Sequence, residues 1–226
     1  MLTRYRVYRN AGNKLIIRVN PAKIDGYVGG NIPMMDLMEN RLFNRVPKIK
    51  LIGQRAAFHL GPFAIPGRLY KKPVKLERME KYKKVKDLIE HSTGYLKSLW
   101  YNDMLRELET VGAVKHKEIT LCTVEELNNF FESYVLELVN SMKKNGYMES
   151  KCSQIGNVTI GKKGELHKSN AGDHRFITAR ILGIKCMPFK VNGVHKEWFN
   201  NKSILNRRRG ISKLVSAIRE VEEENR

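Results

Sequence analysis

Proline is unevenly distributed along this chain of 226 residues. Six of the seven prolines lie in the first 76 residues, where glycine is also frequent. Proline breaks a helix from within and glycine favours turns, so this part of the chain can form only short regular elements. The pattern predicts short strands and loops over residues 1–76, with extended segments at 15–19 and 48–53. Long helices are expected only further along the chain.

Helical periodicity begins at residue 77, and residues 77–122 are expected to form a helical region. The clearest helix of the sequence begins after this region at Thr123, which can form a capping box with Glu126. The apolar face of this helix consists of Leu127, Phe130, Phe131, Tyr134, Val135, Leu138, Val139 and Met142. Two lysines and Gly146 predict its end.

Short strands alternate with a helix after residue 150. Residues 158–160 and 165–167 are predicted strands on either side of a glycine-bounded turn, and 187–191 is a third strand. Between them lies a short predicted helix that ends at Gly183. The tail from residue 203 is predicted to be a helix whose apolar stripe packs on the body of the protein or on a partner.

This alternation of helices and strands predicts an α+β fold. An irregular basic N-terminal segment and a helical region would precede a mixed module, and a C-terminal helix would follow it. The predicted divisions are 1–76, 77–122, 123–198 and 199–226.

The chain is strongly basic. It has 42 Lys and Arg against 23 Asp and Glu, a net charge of +19, with an isoelectric point near 9.9. The excess is concentrated in the first 76 residues, where 15 basic residues face only three acidic ones. Such a field attracts polyanions, although a solvated basic surface is the plainer interpretation.

Cysteine use and hydropathy indicate a soluble, cytoplasmic protein. The three cysteines are far apart and lack the spacing of a zinc site, so they are expected to be reduced thiols. The sequence contains no apolar stretch of about 20 residues and no secretory leader, so no membrane span is expected.

The segment SNAGDHR, residues 169–175, leads directly into the short predicted helix. The first turn of a helix has free backbone N–H groups and a positive dipole end, which together attract anions. Gly172 permits close approach of a ligand, Arg175 offers a planar fork for phosphate oxygens, and His174 can donate a ring N–H. These residues predict a polyphosphate site. Asp173 can hold a divalent cation, act as a general base, or merely cap the helix.

The order of these elements, together with GDHR, LGIKCMPFKV and HKEW, resembles the ParB/sulfiredoxin-fold superfamily, in particular ParB-like proteins with a D-G-x-H-R motif. The resemblance covers roughly residues 77–198. It implies a nucleotide-binding domain in which Gly172, His174 and Arg175 contact phosphates. Asp173 stands where sulfiredoxins have their catalytic cysteine, so the thiol chemistry of sulfiredoxins is not expected here.

The resemblance implies further site residues. Ser141, on the preceding helix, falls where this fold often offers a hydroxyl to a phosphate. Asn170 stands near the position of an aspartate in the family motif, Lys168 can neutralise phosphate charge, and Glu149 is a second candidate for a catalytic carboxylate.

Two classes of function follow. The first is a kinase-like phosphotransferase that uses ATP, ADP or CTP with Mg²⁺ at Asp173 and phosphorylates a small-molecule or sugar hydroxyl. The second is a ParB-like nucleic-acid-binding protein that uses the nucleotide as a switch, or a related nuclease. In that alternative, the basic N-terminal segment and Arg207, Arg208 and Arg209 contact a nucleic acid or another polyanion.

Overall fold

The chain folds into two compact units in a computed structural model, which describes residues 2–24, 26–29, 60–117, 119–151, 154–204 and 209–226. The first unit comprises Met1–Lys75, Ser153–Gly172 and Lys185–Arg226. The second comprises Leu76–Cys152 and Asp173–Ile184. The predicted extended segment at 48–53 lies outside the described residues.

The first unit is built on a mixed sheet. With strands numbered along the whole chain, it contains β1 (Ile16–Val19), β2 (Gly26–Gly29), β3 (Ala64–Ile65), β4 (Val74–Lys75), β7 (Gly156–Ile160), β8 (Leu166–Ser169) and β9 (Met187–His195). The strand order is β1-β9-β7-β8-β2-β4, and β3 also pairs with β9. β9 is antiparallel to β1 and parallel to β7, so the nine-residue strand lies inside the sheet.

Helices of the first unit are α1 (Arg4–Ala11), α7 (Lys196–Asn201) and α8 (Arg209–Glu224). Its 3₁₀ turns are Gly12–Leu15, Pro21–Lys23 and Gly67–Leu69. α8 buries Leu214, Ala217, Ile218 and Val221. The Arg18 N–H donates to the Glu222 carboxylate at 2.8 Å. Of the two placements expected for the tail, packing on the body of the protein is the observed one.

The second unit is mainly helical. It contains α2 (Glu80–Glu90), α3 (Leu99–Val111), the hairpin strands β5 (Val114–His116) and β6 (Ile119–Leu121), α4 (Val124–Phe130), a π-helical turn (Phe131–Leu136), α5 (Glu137–Asn145) and α6 (Asp173–Ile181). Its 3₁₀ turns are Leu76–Arg78, Ser92–Lys97 and Glu149–Lys151.

The helix predicted from Thr123 is confirmed, including its start. The Thr123 hydroxyl accepts from the Glu126 N–H at 3.1 Å, and the Glu126 carboxylate accepts from the Thr123 N–H at 3.2 Å. Most of the predicted apolar face is buried, but Tyr134 is 39% exposed. The π turn interrupts the regular spacing at this point, which changes what the later side chains face.

The coarse α+β prediction is confirmed, since helices and a mixed sheet are both present. The structure differs from the sequence predictions in two segments. Residues 4–11 form a capped helix inside the segment expected to be irregular. Residues 114–116 and 119–121 pair as antiparallel strands inside the region expected to be helical. Among the described residues, no helix is long and apolar enough to cross a membrane.

Candidate functional site

The turn before α6 is fixed by contacts with other residues of the first unit. Ala171 and Gly172 both have a φ of 69°, the left-handed region that an alanine rarely adopts. A Cβ at Gly172 would lie 2.9 Å from the Cα of Gly156, so only glycine fits without a backbone shift. The sequence therefore places a glycine here because of packing as well as conformation.

Lys168 and Asn170 are engaged in the same turn. The Lys168 side chain is fully buried, and its ammonium donates to the carbonyls of Ser169 and Ala171. The Asn170 amide oxygen accepts from Asn192 Nδ2 at 3.2 Å. In this structure both residues fix the shape of the turn. Their predicted contacts with phosphate remain predictions.

Asp173 opens α6, and its carboxylate forms an ion pair with Lys81. Lys81 Nζ lies 3.0 Å from Asp173 Oδ2, and the aspartate side chain is 14% exposed. Lys81 comes from α2, so this contact links the two helices within the second unit. A cation thus lies directly beside the carboxylate, where a divalent ion was predicted.

His174 lies in a cluster of rings. Its centroid is 4.9 Å from the Trp100 ring and 5.4 Å from His116. Burial, followed by the charges of Lys81 and Lys117 and the nearby His116, lowers the pKa of His174 to about 3. His174 is therefore neutral at pH 7 and provides no positive charge for a phosphate.

His116 is neutral for the same reason. Burial lowers its pKa below the usual value, and Lys117 and Lys81 lower it further. Its Nε2 is buried and has no hydrogen-bond partner within the described part of the chain. The two imidazoles can contribute ring faces and neutral hydrogen-bonding atoms, while the charge near them comes from lysines.

A cavity of about 360 Å³ borders this cluster, and we call it the lysine cavity. It is lined by Glu80, Lys81, Lys84, Val85, Trp100, Lys115, His116, Lys117 and His174. Lys84 pairs with Asp103 at 2.9 Å, and Lys81 with Asp173. Within the described ranges, no carboxylate pairs with Lys115 or Lys117, so the cavity has an excess of positive charge.

Arg175 faces a different cavity, of about 170 Å³, which we call the Arg175 cavity. It is lined by Ser133, Tyr134, Glu137, Leu138, Ser141, Met142, Gly146, Tyr147, Met148 and Arg175. The structure thus places Arg175 and Ser141 at the same cavity. It does not bring His174 to the same cavity.

The two cavities are neighbours in the second unit. A void of about 10 Å³ is lined by residues of both cavities: Trp100 and His174 also line the lysine cavity, and Tyr134 and Leu138 also line the Arg175 cavity. The Tyr134 hydroxyl also accepts a hydrogen bond from Lys117 Nζ at 3.3 Å. Consecutive residues at the start of α6 therefore point to two adjoining cavities.

The remaining candidate residues are Glu149 and Arg207–Arg209. Glu149 is exposed on a 3₁₀ turn and lines neither cavity. Arg207 and Arg208 lie outside the described residues, and Arg209 is the first residue of α8.

A magnesium ion fits the residues around Asp173 poorly, because Lys81 already pairs with this carboxylate. Within the described ranges, no group of three His, Cys, Asp or Glu side chains is arranged to hold a metal ion. Magnesium at Asp173 remains a prediction from the family resemblance.

Sequence reasoning missed most of the lysine cavity. Lys81 and Lys84 were part of an unremarkable charged helix, and Lys115, His116 and Lys117 belong to the unpredicted hairpin. The one available signal was the apolar–polar–apolar pattern of residues 119–121. No glycine or asparagine marks the turn, and Lys117 itself takes a φ of 56°.

Comparison of the chain with protein-family models, with curated proteins and with solved structures found no match.

Proposed function

We propose that the protein binds a nucleoside di- or triphosphate in the lysine cavity and transfers its terminal phosphoryl group to a hydroxyl. The observation that carries this proposal is the convergence of four lysines on a cavity whose wall includes Trp100, His116 and His174. The volume of about 360 Å³ falls in the range of small-molecule pockets, roughly 300–1,000 Å³. The Arg175 cavity is too small for a nucleotide.

The phosphates and the base of a nucleotide each have suitable partners in the lysine cavity. Ammonium groups bind phosphate oxygens as point charges, and Lys115 and Lys117 have no competing carboxylate among the described residues. Aromatic rings accept a base by stacking. Because His116 and His174 are neutral, the rings add no charge of their own at pH 7.

Asp173 is the proposed general base. In the transfer step, the acceptor oxygen bonds to the terminal phosphorus, the bond from this phosphorus to the leaving nucleotide breaks, and the hydroxyl proton passes to the Asp173 carboxylate. Lys81, 3.0 Å from that carboxylate, would offset its repulsion with the phosphates. Positioning and charge neutralisation are the main requirements of phosphoryl transfer.

We also propose that the chain has a ParB/sulfiredoxin-like fold. The observed succession of α4 and α5, then β7, β8, α6 and β9, follows the order on which the family resemblance rests. The alternative of nucleic-acid binding through Arg207–Arg209 gains no support from the described residues, and we do not put it forward.

The test is calorimetric titration of ATP, ADP and CTP into the full chain, with and without Mg²⁺. The variant Lys115→Ala/Lys117→Ala should lose roughly 100-fold in affinity or more, because the two lysines each contribute a charge-assisted hydrogen bond of about 1.5–3 kcal/mol. The control Lys143→Ala/Lys144→Ala removes the same charge from exposed positions at the end of α5. Equal weakening by both pairs, or no nucleotide binding by the unmodified protein, would refute the proposal.

A further inference from the structure

The Arg175 cavity contains a guanidinium that has no partner among the described residues. Arg175 is half-buried, and no hydrogen bond or ion pair to it exists among the residues that the structure describes. Half-buried arginines usually have their donors satisfied by carboxylates or carbonyls. An arginine that lines a cavity without such a partner is available to bind an anion there.

The cavity provides an apolar wall next to this cation. Leu138, Met142 and Met148 contribute apolar surface, and Met142 is 5% exposed. Methionine side chains adapt readily to ligands of different shape. A ligand that reaches Arg175 would therefore also contact apolar groups.

Two features select a singly charged ligand over a polyphosphate. Glu137 also lines the cavity, and its carboxylate forms no ion pair within the described ranges, so it would repel a highly charged anion. The volume of about 170 Å³ is less than half that of the lysine cavity, so the Arg175 cavity favours a small ligand.

The π-helical turn shapes the same cavity. Phe131–Leu136 contains the extra residue of a π turn, and it places both Ser133 and Tyr134 at the cavity wall. Single π turns inside helices are frequent at functional sites. This is a second observation, independent of charge, that distinguishes the cavity from an ordinary surface groove.

We propose that the Arg175 cavity binds a small monocarboxylic acid with an apolar tail, as a site separate from the lysine cavity. The carboxylate would bind the Arg175 guanidinium in a bidentate manner and accept from the Ser141 hydroxyl. The tail would lie against Met142 and Met148. This site does not depend on the proposed function, because its residues and its ligand differ from those of the lysine cavity.

The test uses butyrate as the probe and methionine methyl groups as reporters. The full chain is labelled with ¹³C at its methionine methyls, and Met142→Leu and Met148→Leu variants assign the two cavity signals. Butyrate should shift these two signals in a saturable way, with a dissociation constant on the order of 1–10 mM. The signal of Met104, which lies on α3 and outside the cavity lining, should not move.

Substitution of the arginine separates charge from packing. Arg175→Gln should weaken butyrate binding at least about 10-fold. Arg175→Lys keeps the charge but lacks the planar fork, so its affinity for butyrate should lie between those of Arg175→Gln and the unmodified protein. The matched control is Arg180→Gln on the same helix, where the arginine pairs with Glu77 at 3.6 Å and does not line the cavity. This control should bind butyrate normally.

Several results would overturn the inference. They are unmoved Met142 and Met148 signals, unchanged binding by Arg175→Gln, equal shifts with butanol, or displacement of butyrate by an equal concentration of inorganic phosphate. ATP titration of Arg175→Gln provides a further check. Retained nucleotide affinity supports separate sites, whereas a loss as large as that of the Lys115→Ala/Lys117→Ala variant would assign Arg175 to the nucleotide.

Discussion

At the scale of single residues, burial changes the chemistry of His174. In the sequence, His174 stands beside Arg175 at the start of a helix, which suggests that its ring donates a hydrogen bond to a phosphate. In the folded unit its ring lies against Trp100 and His116, and nearby lysines oppose protonation. The histidine therefore contributes a neutral ring, while the lysines contribute the charge.

This burial predicts a loss of stability in mild acid. The pKa of His174 is about 3 in the folded state against 6.5 for an unperturbed histidine, so below pH 6.5 the unfolded chain binds a proton that the folded chain does not. Between pH 7 and pH 5 this one group should reduce the free energy of unfolding by about 2 kcal/mol. Urea unfolding at both pH values measures the change.

Two variants identify the source of the acid effect. His174→Phe should reduce the difference in unfolding free energy between pH 7 and pH 5 by about 2 kcal/mol. His91→Gln changes an exposed histidine at the end of α2, away from the ring cluster, and serves as the comparison for His174→Phe. An unchanged pH dependence in His174→Phe would show that its ring is not buried as described.

At the scale of elements, the turn before α6 and the end of α6 use glycine for different reasons. Gly172 and Gly183 both have a φ of 69°. A Cβ at Gly172 would meet the backbone of Gly156, whereas a Cβ at Gly183 would meet nothing within 4 Å. The first position combines conformational and steric demands, and the second has only the conformational one.

This contrast predicts unequal costs for the same substitution. Gly183→Ala should lower the free energy of unfolding by about 1–2 kcal/mol, the strain of a left-handed alanine. Gly172→Ala should cost a further 1–3 kcal/mol or so, because a backbone atom must shift. Chemical denaturation of the two variants gives the comparison, and equal costs would mean that the Gly156 contact is absent in solution.

At the scale of the whole molecule, the chain crosses between its two units more than once. Segments from the beginning, middle and end of the sequence build the first unit. The C-terminal α8 therefore belongs to the same unit as β1, about 200 residues away. The buried Glu222 on α8 strengthens this link. Burial alone would raise its pKa, but the Arg18 N–H and the charges of Arg219 and Arg226 lower it below the usual value.

The placement of α8 predicts that its buried face stabilises the protein. Ile218 is fully buried, so Ile218→Ala should lower the free energy of unfolding by about 2–5 kcal/mol. Ser216 is exposed on the same helix, and Ser216→Ala should change stability by less than about 0.5 kcal/mol. Thermal unfolding and sedimentation of both variants test this. Unchanged stability with an altered oligomeric state would mean that the stripe faces a partner.

The sequence by itself determined the elements whose signals are local. The capping box at Thr123, the left-handed end at Gly112 and the strand ending at Val19 are each decided by a few neighbouring residues. The family resemblance also assigned Ser141 and Arg175 to one site, and both residues line the Arg175 cavity. The phosphate contacts proposed for these residues remain predictions.

Only the tertiary structure decided which residues share a cavity and which of them carry charge. Lys81 and Lys115 are distant in sequence and meet only because α2 and the hairpin belong to one unit. The π turn sets what Ser133 and Tyr134 face, but the apolar pattern of the helix in the sequence does not indicate a π turn. Burial and the field of neighbouring charges set the pKa of His174, and both depend on distances that a linear sequence does not contain.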